Sequence, residues 1–510
     1  MPKTFYVTTP IYYVNDLPHL GHAYTTVAAD VLARFKRLKG LQVFFLTGTD
    51  EHGLKVEKAA RERKQDPQAL ADEVVARFKR LWDRLNISYT DFIRTTEPRH
   101  TAAAQLLIST VRDKGDIYLG DYQDWYCTPC ETFLTETNLV NGNCPDCSRP
   151  VEKLKEKSYF FRLSKYQDRL REHIEANPGF IQPESRRREV LNFISQGLRD
   201  LSISRASFSW GIPVPWDESH VIYVWFDALA NYLTGVGFAQ DDSRFNEFWP
   251  ASVHIIGKDI LRFHAIYWPS FLLSAGIALP RKIAAHGWWT VEGKKMSKSL
   301  GNVVDPEQLA DKYGVDALRY FLLREVPFGQ DGDFSHKAMM NRVNSDLAND
   351  LGNLCHRVIA MVERYFQGTL PQPQADQERD QRLMDAWQQS LTEFEREMEE
   401  LNFSLALTSM WRFVSACNKY LEEEAPWSLA QKDPQGARLP TVLYHACEAV
   451  RLIALSLSPF MPESTAKIWK QLGIREEPAC TSLDEARRWG GLKPGIHVKK
   501  GPAIFPRYEE

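Results

Sequence analysis

Residues 10–22 read Pro10-Ile11-Tyr12-Tyr13-Val14-Asn15-Asp16-Leu17-Pro18-His19-Leu20-Gly21-His22, or PIYYVNDLPHLGH. Just before them stands FYVTT, residues 5–9, a β-branched and aromatic run that reads as a buried strand. After them Ala23, Val27, Val31, Leu32 and Phe35 recur at helical spacing, and Gly40 stands where such a helix would end. The element is strand, tight turn, helix, with His19-Leu20-Gly21-His22 at the turn. A helix N-terminus presents unpaired N–H groups and a partial positive charge, so anions bind there. Two histidines add donors that follow charge developing on a phosphate. Gly21 lacks a side chain, so a flat base or ribose fits close against the backbone. Taken alone, the same four residues also fit two satisfied histidines beside a turn.

A second stretch settles the matter. Lys295-Met296-Ser297-Lys298-Ser299 follows HGWWTVEGK and lies between Gly293 and Gly301, so it reads as a mobile loop after a strand. Two lysines with two residues between them suit the β- and γ-phosphates of a nucleotide as pyrophosphate leaves. A lysine-rich loop alone is equally a solvated surface turn. Both stretches, in this order and at opposite ends of one α/β region, point to nucleotide chemistry.

Length and composition set the bounds. A chain of 510 residues has room for two to four domains, each with its own core. Hydrophobic content of 44% and charged content of 25% are those of an ordinary globular protein. The net charge of −3 means that any nucleic-acid surface must be a local patch. MPKTFYVTT enters a strand without a signal-peptide apolar region, and no uncharged run approaches the roughly 20 residues that span a bilayer. A soluble, cytoplasmic protein is expected.

Eight cysteines in so long a chain do not make a disulfide framework. Cys355, Cys417, Cys447 and Cys480 are scattered, and buried reduced thiols are expected there. Cys127-x-x-Cys130 and Cys144-x-x-Cys147 enclose thirteen residues in a turn-rich, short-stranded segment. Two such knuckles supply a tetrahedral thiolate set, and a segment with little core gains folding free energy from the metal. Two chance thiol pairs, or a redox pair, are the alternatives. Four thiolates would make a closed structural zinc site with no open position for catalysis.

LQVFFLTGTDEHG, residues 41–53, is an apolar strand ending in polar residues. Ligands of doubly wound sheets sit beyond strand carboxyl ends, so Asp50 is placed either to meet a substrate ammonium group or to cap the next helix. From about Asn341 the pattern is helical, with Val343, Leu347, Leu351, Leu354 and Val358 on one face.

Together the first two stretches are the signature of class I aminoacyl-tRNA synthetases. PIYYVNDLPHLGH, TGTDEHG, YVWFDAL, GKDILRFHAIYWP and KMSKSLGN resemble the methionyl members of that class, over Phe5 to about Pro462. The resemblance implies an α/β fold, with a Rossmann-type doubly wound parallel-sheet catalytic domain, a zinc-knuckle insertion and an all-α helical-bundle anticodon-binding domain. The expected boundaries are catalytic halves at 1–115 and 221–300, an insertion at 116–220 with its knuckle at 127–147, a stem-contact linker at 301–340, the helical domain at 341–470 and a tail at 471–510 that packs back on the body. The insertion of about a hundred residues leaves no room for the large editing domains of the isoleucyl, valyl and leucyl relatives, so a double sieve is not expected.

The activity implied is ATP-dependent ligation of L-methionine to tRNA(Met), initiator and elongator, through methionyl-adenylate, with Mg2+ accompanying ATP and one structural Zn2+. Carried over position by position, His19, His22, Lys295 and Lys298 are catalytic. Tyr12, Gly21, Met296, Ser297 and Ser299 join them around ATP. Ile11, Tyr13, Asp50, Trp225, Ala228, Tyr232, Phe263, His264 and Trp268 match positions around methionine. Sulfur–aromatic contacts favour a thioether there, and Tyr13 and His264 each have a group able to hydrogen-bond sulfur.

In the helical domain Asn349, Asn353, Arg357, Pro426 and Trp427 match anticodon-facing stretches; tryptophan stacks an unstacked base, and Asn and Arg read base edges. A bundle helix with a polar cap and a buried Trp427 is the alternative there. The absence of an appended tRNA-binding, dimer-forming domain leads to the expectation of a monomer. Two rival classes stand beside this one: a nucleotidyltransferase acting on a phosphorylated small molecule, and a non-catalytic tRNA-binding relative.

Overall fold

The computed structural model describes residues 3–14, 17–128, 130, 132–134, 136, 139–145, 147–291, 293–295, 303–433 and 436–509. Met296, Ser297, Lys298 and Ser299 therefore lie outside the described residues. The chain forms two compact units. One comprises residues 1–29, 43–83 and 89–287; the other comprises 30–42, 84–88 and 288–510.

The first unit is built on a six-stranded sheet. Its strands are β1 (Thr4–Tyr13), β2 (Gln42–Asp50), β3 (Asp91–Arg94), β4 (Ile181–Gln182), β5 (Val253–Gly257) and β6 (Ile283–His286). Their order is β3-β2-β1-β5-β6-β4, and β2–β3, β1–β5, β5–β6 and β6–β4 run parallel. The sequence order reverses between β1 and β5, which is where doubly wound sheets bind ligands. The strands are apolar because helices cover both faces of a parallel sheet. Phe45, Leu46, Ile255 and Ile256 are buried accordingly.

β4 falls inside the stretch read as an insertion, so that stretch also supplies the sheet's edge strand. The insertion also holds a four-stranded antiparallel sheet, in which Ile117–Cys127 pairs with Glu152–Phe161 over ten residue pairs, and the helices Gln167–Ala176 and Glu184–Ser195. The charged run at 163–209, expected to be helical, also contains the short strands Leu201–Ser202 and Ser204–Arg205.

α1 (Leu20–Leu38) follows β1 directly, and the chain turns at Gly40 with φ +77°. Leu20, Gly21 and His22 thus form the first helical turn and His19 precedes it. Two further helices position the site: α2 (Pro98–Asp113) and α3 (Val224–Thr234). Every residue of α3 is buried, polar Asp227, Asn231 and Thr234 included.

The second unit is mainly helical, and its described residues include three short paired strands. Trp289–Val291 pairs antiparallel with Lys294–Lys295 and parallel with Gly332–Phe334. Lys295, expected in a loop, therefore has its backbone in a hairpin strand. Val343, Leu347, Leu351, Leu354 and Val358 are all buried, and Val343–Gly352 is wound as a π-helix. A buried ion pair braces this unit. The Asp30 carboxylate accepts Arg34 Nε at 2.7 Å and Arg319 at 2.6 Å. Arg319 also donates to the carbonyls of Leu85, Pro459 and Phe460. Burial pushes Asp30 up, but the two guanidinium groups and Ser88 outweigh it and hold it at about 2.

The tail docks on this unit. Leu370 and Gly495 exchange backbone hydrogen bonds with Ile496 and Leu370, and Val498 is buried. The Glu448 carboxylate accepts the amides of Gly490, Gly491 and Leu492 as well as the Arg451 guanidinium. Cys355, Cys417 and Cys447 are buried, whereas Cys480 is exposed, contrary to the expectation of a buried thiol. It ends the short 3-10 helix Pro478–Cys480, of which only Pro478 is buried.

Candidate active site

His19 and His22 stand at the carboxyl end of β1, beside the topological switch. Their rings stack with centroids 3.8 Å apart. His19 Nδ1 accepts the Gly21 amide at 3.1 Å, and His22 Nδ1 accepts the His19 amide at 3.2 Å. Each Nδ1 is thus an acceptor, so the neutral ring carries its proton on Nε2. Burial pushes His22 well below the ordinary histidine range, with His19 and Lys55 adding to the effect. The pair offers two N–H dipoles rather than two cations. Gly21 is required by His19: a Cβ there would lie 2.9 Å from His19 Cε1. Its small size therefore serves the histidine stack, an explanation the sequence did not supply.

Tyr12 backs this pair from within the unit. Its ring lies 4.7 Å from His22 and stacks on Phe78 at 5.4 Å, and its hydroxyl meets Thr26 Oγ1 at 2.7 Å. Lys55, which the sequence reading passed over, holds its ammonium 4.6 Å from the centre of the Tyr13 ring. The signal was present: TDEHGLK runs from the end of β2 straight into the helix Leu54–Glu62.

An aromatic wall lies beyond. Trp225 and Phe263 stack face to face, 3.7 Å apart and 4° from parallel. Tyr13 meets Trp225 edge-on at 6.5 Å. Tyr232 lies 5.9 Å from Trp268, and its hydroxyl is 2.7 Å from His264 Nε2. Ala228 is buried on α3 between Trp225 and Tyr232, and Ile11 and Tyr13 pack half-buried against the core of this unit. The buried indole N–H of Trp225 meets no acceptor among the described residues, leaving a donor. Asp50 is buried at the end of β2, where its carbonyl accepts the Val14 amide at 3.3 Å. All the residues matched to methionine thus belong to one unit.

One expectation is corrected. His264 Nδ1 lies 3.0 Å from the Ile260 carbonyl, which can only accept, so Nδ1 carries the proton. Burial holds His264 down to about 4, so the ring is neutral and Nε2 is an acceptor. It takes the Tyr232 proton and has none to give to sulfur. His254, another residue the sequence reading missed, fixes the neighbouring indole. Trp268 Nε1 donates to His254 Nε2 at 3.3 Å, and His254 Nδ1 faces Thr8 Oγ1 at 2.8 Å.

The four knuckle cysteines converge, with every sulfur within 4.8 Å of the others. Cys127 and Cys147 are 3.5 Å apart, Cys144 and Cys130 4.0 Å, and none forms a disulfide. A tetrahedron with zinc–sulfur bonds of ~2.3 Å has edges of about 3.8 Å, so the set fits one zinc ion. The hydrogen-bonded Cys130 thiol holds Cys127 down to about 5, against the effect of burial. Among the described residues Leu134 is buried with Cys127 and Cys144, and the half-buried Trp125, Leu139 and Val151 pack against them, a small cluster to which a bound metal would add folding free energy.

In the second unit Asn353 is exposed and the Arg357 guanidinium lies 5.6 Å from the centre of the Trp427 ring. Trp427 is 38% exposed, so the buried-tryptophan alternative does not hold. Pro426 is buried beneath it as the first residue of a short helix, and Asn349 accepts a hydrogen bond from Arg507. Asn353, Arg357 and Trp427 thus give this unit an amide, a guanidinium and an exposed indole. The side chain of Lys295 is not among those described, which leaves it without a geometric account.

Comparison with known proteins gives the family. The family described as class I tRNA synthetases (M) matches residues 5–153 and 148–359. The anticodon-binding domain of methionyl tRNA ligase matches residues 370–510. The chain is 53% identical over 510 residues to the methionine–tRNA ligase of Caldanaerobacter subterraneus subsp. tengcongensis, covering 100% of this chain and 80% of that protein. It is 46% identical over 509 residues to the methionine–tRNA ligase of Thermotoga maritima, covering 99% and 80%. The structure of Mycobacterium tuberculosis methionyl-tRNA synthetase in complex with methionyl-adenylate superposes with a TM-score of 0.95 at 47% identity, over 99% of this chain and 100% of that one. The apo form of that enzyme gives 0.88 at 45% identity, over 100% and 99%.

Proposed function

The chain belongs to the methionyl branch of the class I tRNA synthetases, and we propose that His19, His22, Lys295 and Lys298 run its chemistry while the Trp225–Phe263 wall selects its amino acid. The activity is the ATP-dependent ligation of L-methionine to tRNA. A carboxylate oxygen of methionine bonds to the α-phosphorus of ATP, and the bond to the bridging oxygen breaks as pyrophosphate leaves with the electron pair. A ribose hydroxyl at the tRNA 3′ end then attacks the carbonyl carbon, and AMP leaves. No side chain acts as nucleophile, so orientation and charge stabilisation carry the rate.

His19 and His22 direct their Nε2 protons at the α- and β-phosphates. Gly21 and Tyr12 shape that site, and Met296, Ser297 and Ser299 present Lys295 and Lys298 to the departing pyrophosphate. Asp50 receives the ammonium group. Ile11, Tyr13, Trp225, Ala228, Tyr232, Phe263, His264 and Trp268 enclose the side chain. Mg2+ arrives with ATP and neutralises phosphate charge. Cys127, Cys130, Cys144 and Cys147 hold one Zn2+ that folds the knuckle.

Asn349, Asn353, Arg357, Pro426 and Trp427 read the anticodon shared by initiator and elongator tRNA(Met), so the enzyme serves translation initiation and elongation. We read it as a cytoplasmic monomer, and gel filtration of the purified protein checks the second point. No helix among the described residues is long and apolar enough to cross a membrane.

The observation that carries the reading is the stacked His19–His22 pair, each Nδ1 accepting a backbone amide, at the strand-order reversal. ATP–pyrophosphate exchange, run with each of the twenty amino acids and no tRNA, is the test. Exchange with methionine alone is expected. Exchange with another amino acid instead would discard the pocket assignment, and none at all would discard the chemistry. Lys298→Ala should lower the exchange rate far more than it weakens methionine, because its role lies with the leaving group.

A further inference from the structure

Asp227 lies in the first turn of α3, two residues after Trp225 and one before Ala228, and is completely buried. Its Oδ2 accepts His52 Nδ1 at 2.7 Å and its Oδ1 accepts His100 Nε2 at 2.6 Å. The two imidazoles come from different elements. His52 sits two residues past Asp50, just beyond the end of β2, and is 7% exposed. Its loop is pinned on both sides: the Trp210 indole donates to the Glu51 carbonyl at 2.6 Å, and the Gly53 amide donates to the Trp210 carbonyl at 3.0 Å. His100 is fully buried on α2, and its Nδ1 also meets Thr234 Oγ1 at 3.1 Å. Thr234 is seven residues beyond Asp227 on the same face of α3, so one histidine grips the helix at two points two turns apart.

A buried carboxylate costs stability unless fully partnered, and apolar packing would hold a helix equally well. What a carboxylate between two histidines adds is a fixed distance. On the reading above, methionine spans the two elements so joined, its ammonium group at Asp50 and its thioether against Trp225, Ala228 and Tyr232. We infer that Asp227, clamped by His52 and His100, is a positioning residue that sets the distance from the ammonium site to the thioether wall and thereby selects side-chain length. Asp227 is fully buried and both its oxygens are taken by imidazoles, so it acts through Trp225 and Ala228 on one side and through the Asp50 strand end on the other.

Exchange assays with methionine and with ethionine, one methylene longer, test this. Asp227→Asn keeps the shape but cannot accept from both imidazoles in their present tautomers; His52→Ala removes one arm of the clamp. Both should raise the methionine KM roughly tenfold, leave the ATP KM within about twofold, and shrink the preference for methionine over ethionine in kcat/KM by about fivefold or more. The double variant should lose no more than the worse single one, since both cut the same strut. Counting active sites by the adenylate burst removes any effect of misfolded protein.

A carboxylate that only supported the fold would lower the melting temperature and the active fraction with the methionine-to-ethionine ratio intact, and that result overturns the inference. If Asp227→Asn does not fold, His52→Ala decides alone by the same ratio. A native enzyme without methionine-dependent exchange would end the functional reading itself, whereas an active native enzyme with unmoved ratios in the variants would end only this inference.

Discussion

Tyr232 gives its hydroxyl proton to His264 Nε2 across 2.7 Å, and the direction of that bond is set by the Ile260 carbonyl on the far side of the imidazole. A carbonyl cannot donate, so the sequence of donors runs from Tyr232 to His264 to Ile260. Tyr232→Phe removes the donor and leaves a fully buried imidazole nitrogen without a partner. Such a loss costs about 1–3 kcal/mol. Chemical denaturation should show that decrease in the unfolding free energy, and His264→Phe on top of it should return part of it. No change in the single variant would reject the assigned direction.

The same ring gives a pH dependence. Burial holds folded His264 at about 4, below its ordinary value of 6.5. Between those two values the unfolded chain binds a proton that the folded chain refuses, so stability is lost as pH falls from 6.5 towards 4. The full effect is about 3 kcal/mol. Burial also lowers His254 and His22, which act in the same direction. Unfolding free energies measured at pH 7.5 and pH 4.5 should differ in the native protein and differ less in His264→Gln. Equal slopes would mean that other groups carry the dependence.

How far the sequence reveals such a site depends on whether the chemistry is local. The strand–turn–helix of residues 5–38 was legible because period-2 and period-3.6 patterns meet at one turn, and the histidine pair lies within that turn. The cysteine knuckle was legible for the same reason. His52, His100 and Asp227 were not, because the contacts that give them meaning join residues 175 and 127 positions apart. The tautomer of His264 was hidden too, since it depends on a carbonyl one helical turn away in a π-helical segment. Only coordinates supply a hydrogen-bond direction. β4, two residues long, is too short for any periodicity to announce.

Lys55 makes a sharper prediction than its sequence position suggested. Adenylation brings a carboxylate against a phosphate, and the neutral His19–His22 pair supplies dipoles but no formal charge. Among the described residues Lys55 has no carboxylate partner, and its ammonium sits on the Tyr13 ring. Lys55→Ala should lower the exchange rate about tenfold or more, within the range seen for single charge-stabilising groups. Lys55→Arg should recover part of it. An unchanged rate in Lys55→Ala would make it a surface lysine covering an aromatic ring.

The knuckle predicts a metal stoichiometry. Native protein should carry close to one zinc per chain by elemental analysis, and Cys127→Ser should carry much less. A structural zinc supplies roughly 10–16 kcal/mol to small domains of this kind, so the segment 127–147 should become the first site of limited proteolysis once the metal is gone. Full zinc retention in Cys127→Ser would show that the four thiols do not act as one site.

Trp427 separates the two halves of the reaction. It is 38% exposed, with Arg357 over its face and exposed Asn353 one turn before Arg357 on the helix Asn353–Phe366. Base stacking on an aromatic side chain contributes about 1–3 kcal/mol, or about 5- to 150-fold in affinity. Trp427→Ala should therefore raise the KM for tRNA in the charging assay by a factor in that range. ATP–pyrophosphate exchange proceeds without tRNA, so the same preparation assayed for exchange reports whether the adenylation site is intact. A rise in tRNA KM with exchange preserved assigns Trp427 to RNA recognition. A parallel fall in both would mean that the ring supports the fold, because an exposed stacking platform has no part in forming the adenylate. Trp427→Phe keeps a smaller ring and should fall between the two, and an Ala variant with native charging kinetics would exclude the residue from the anticodon surface.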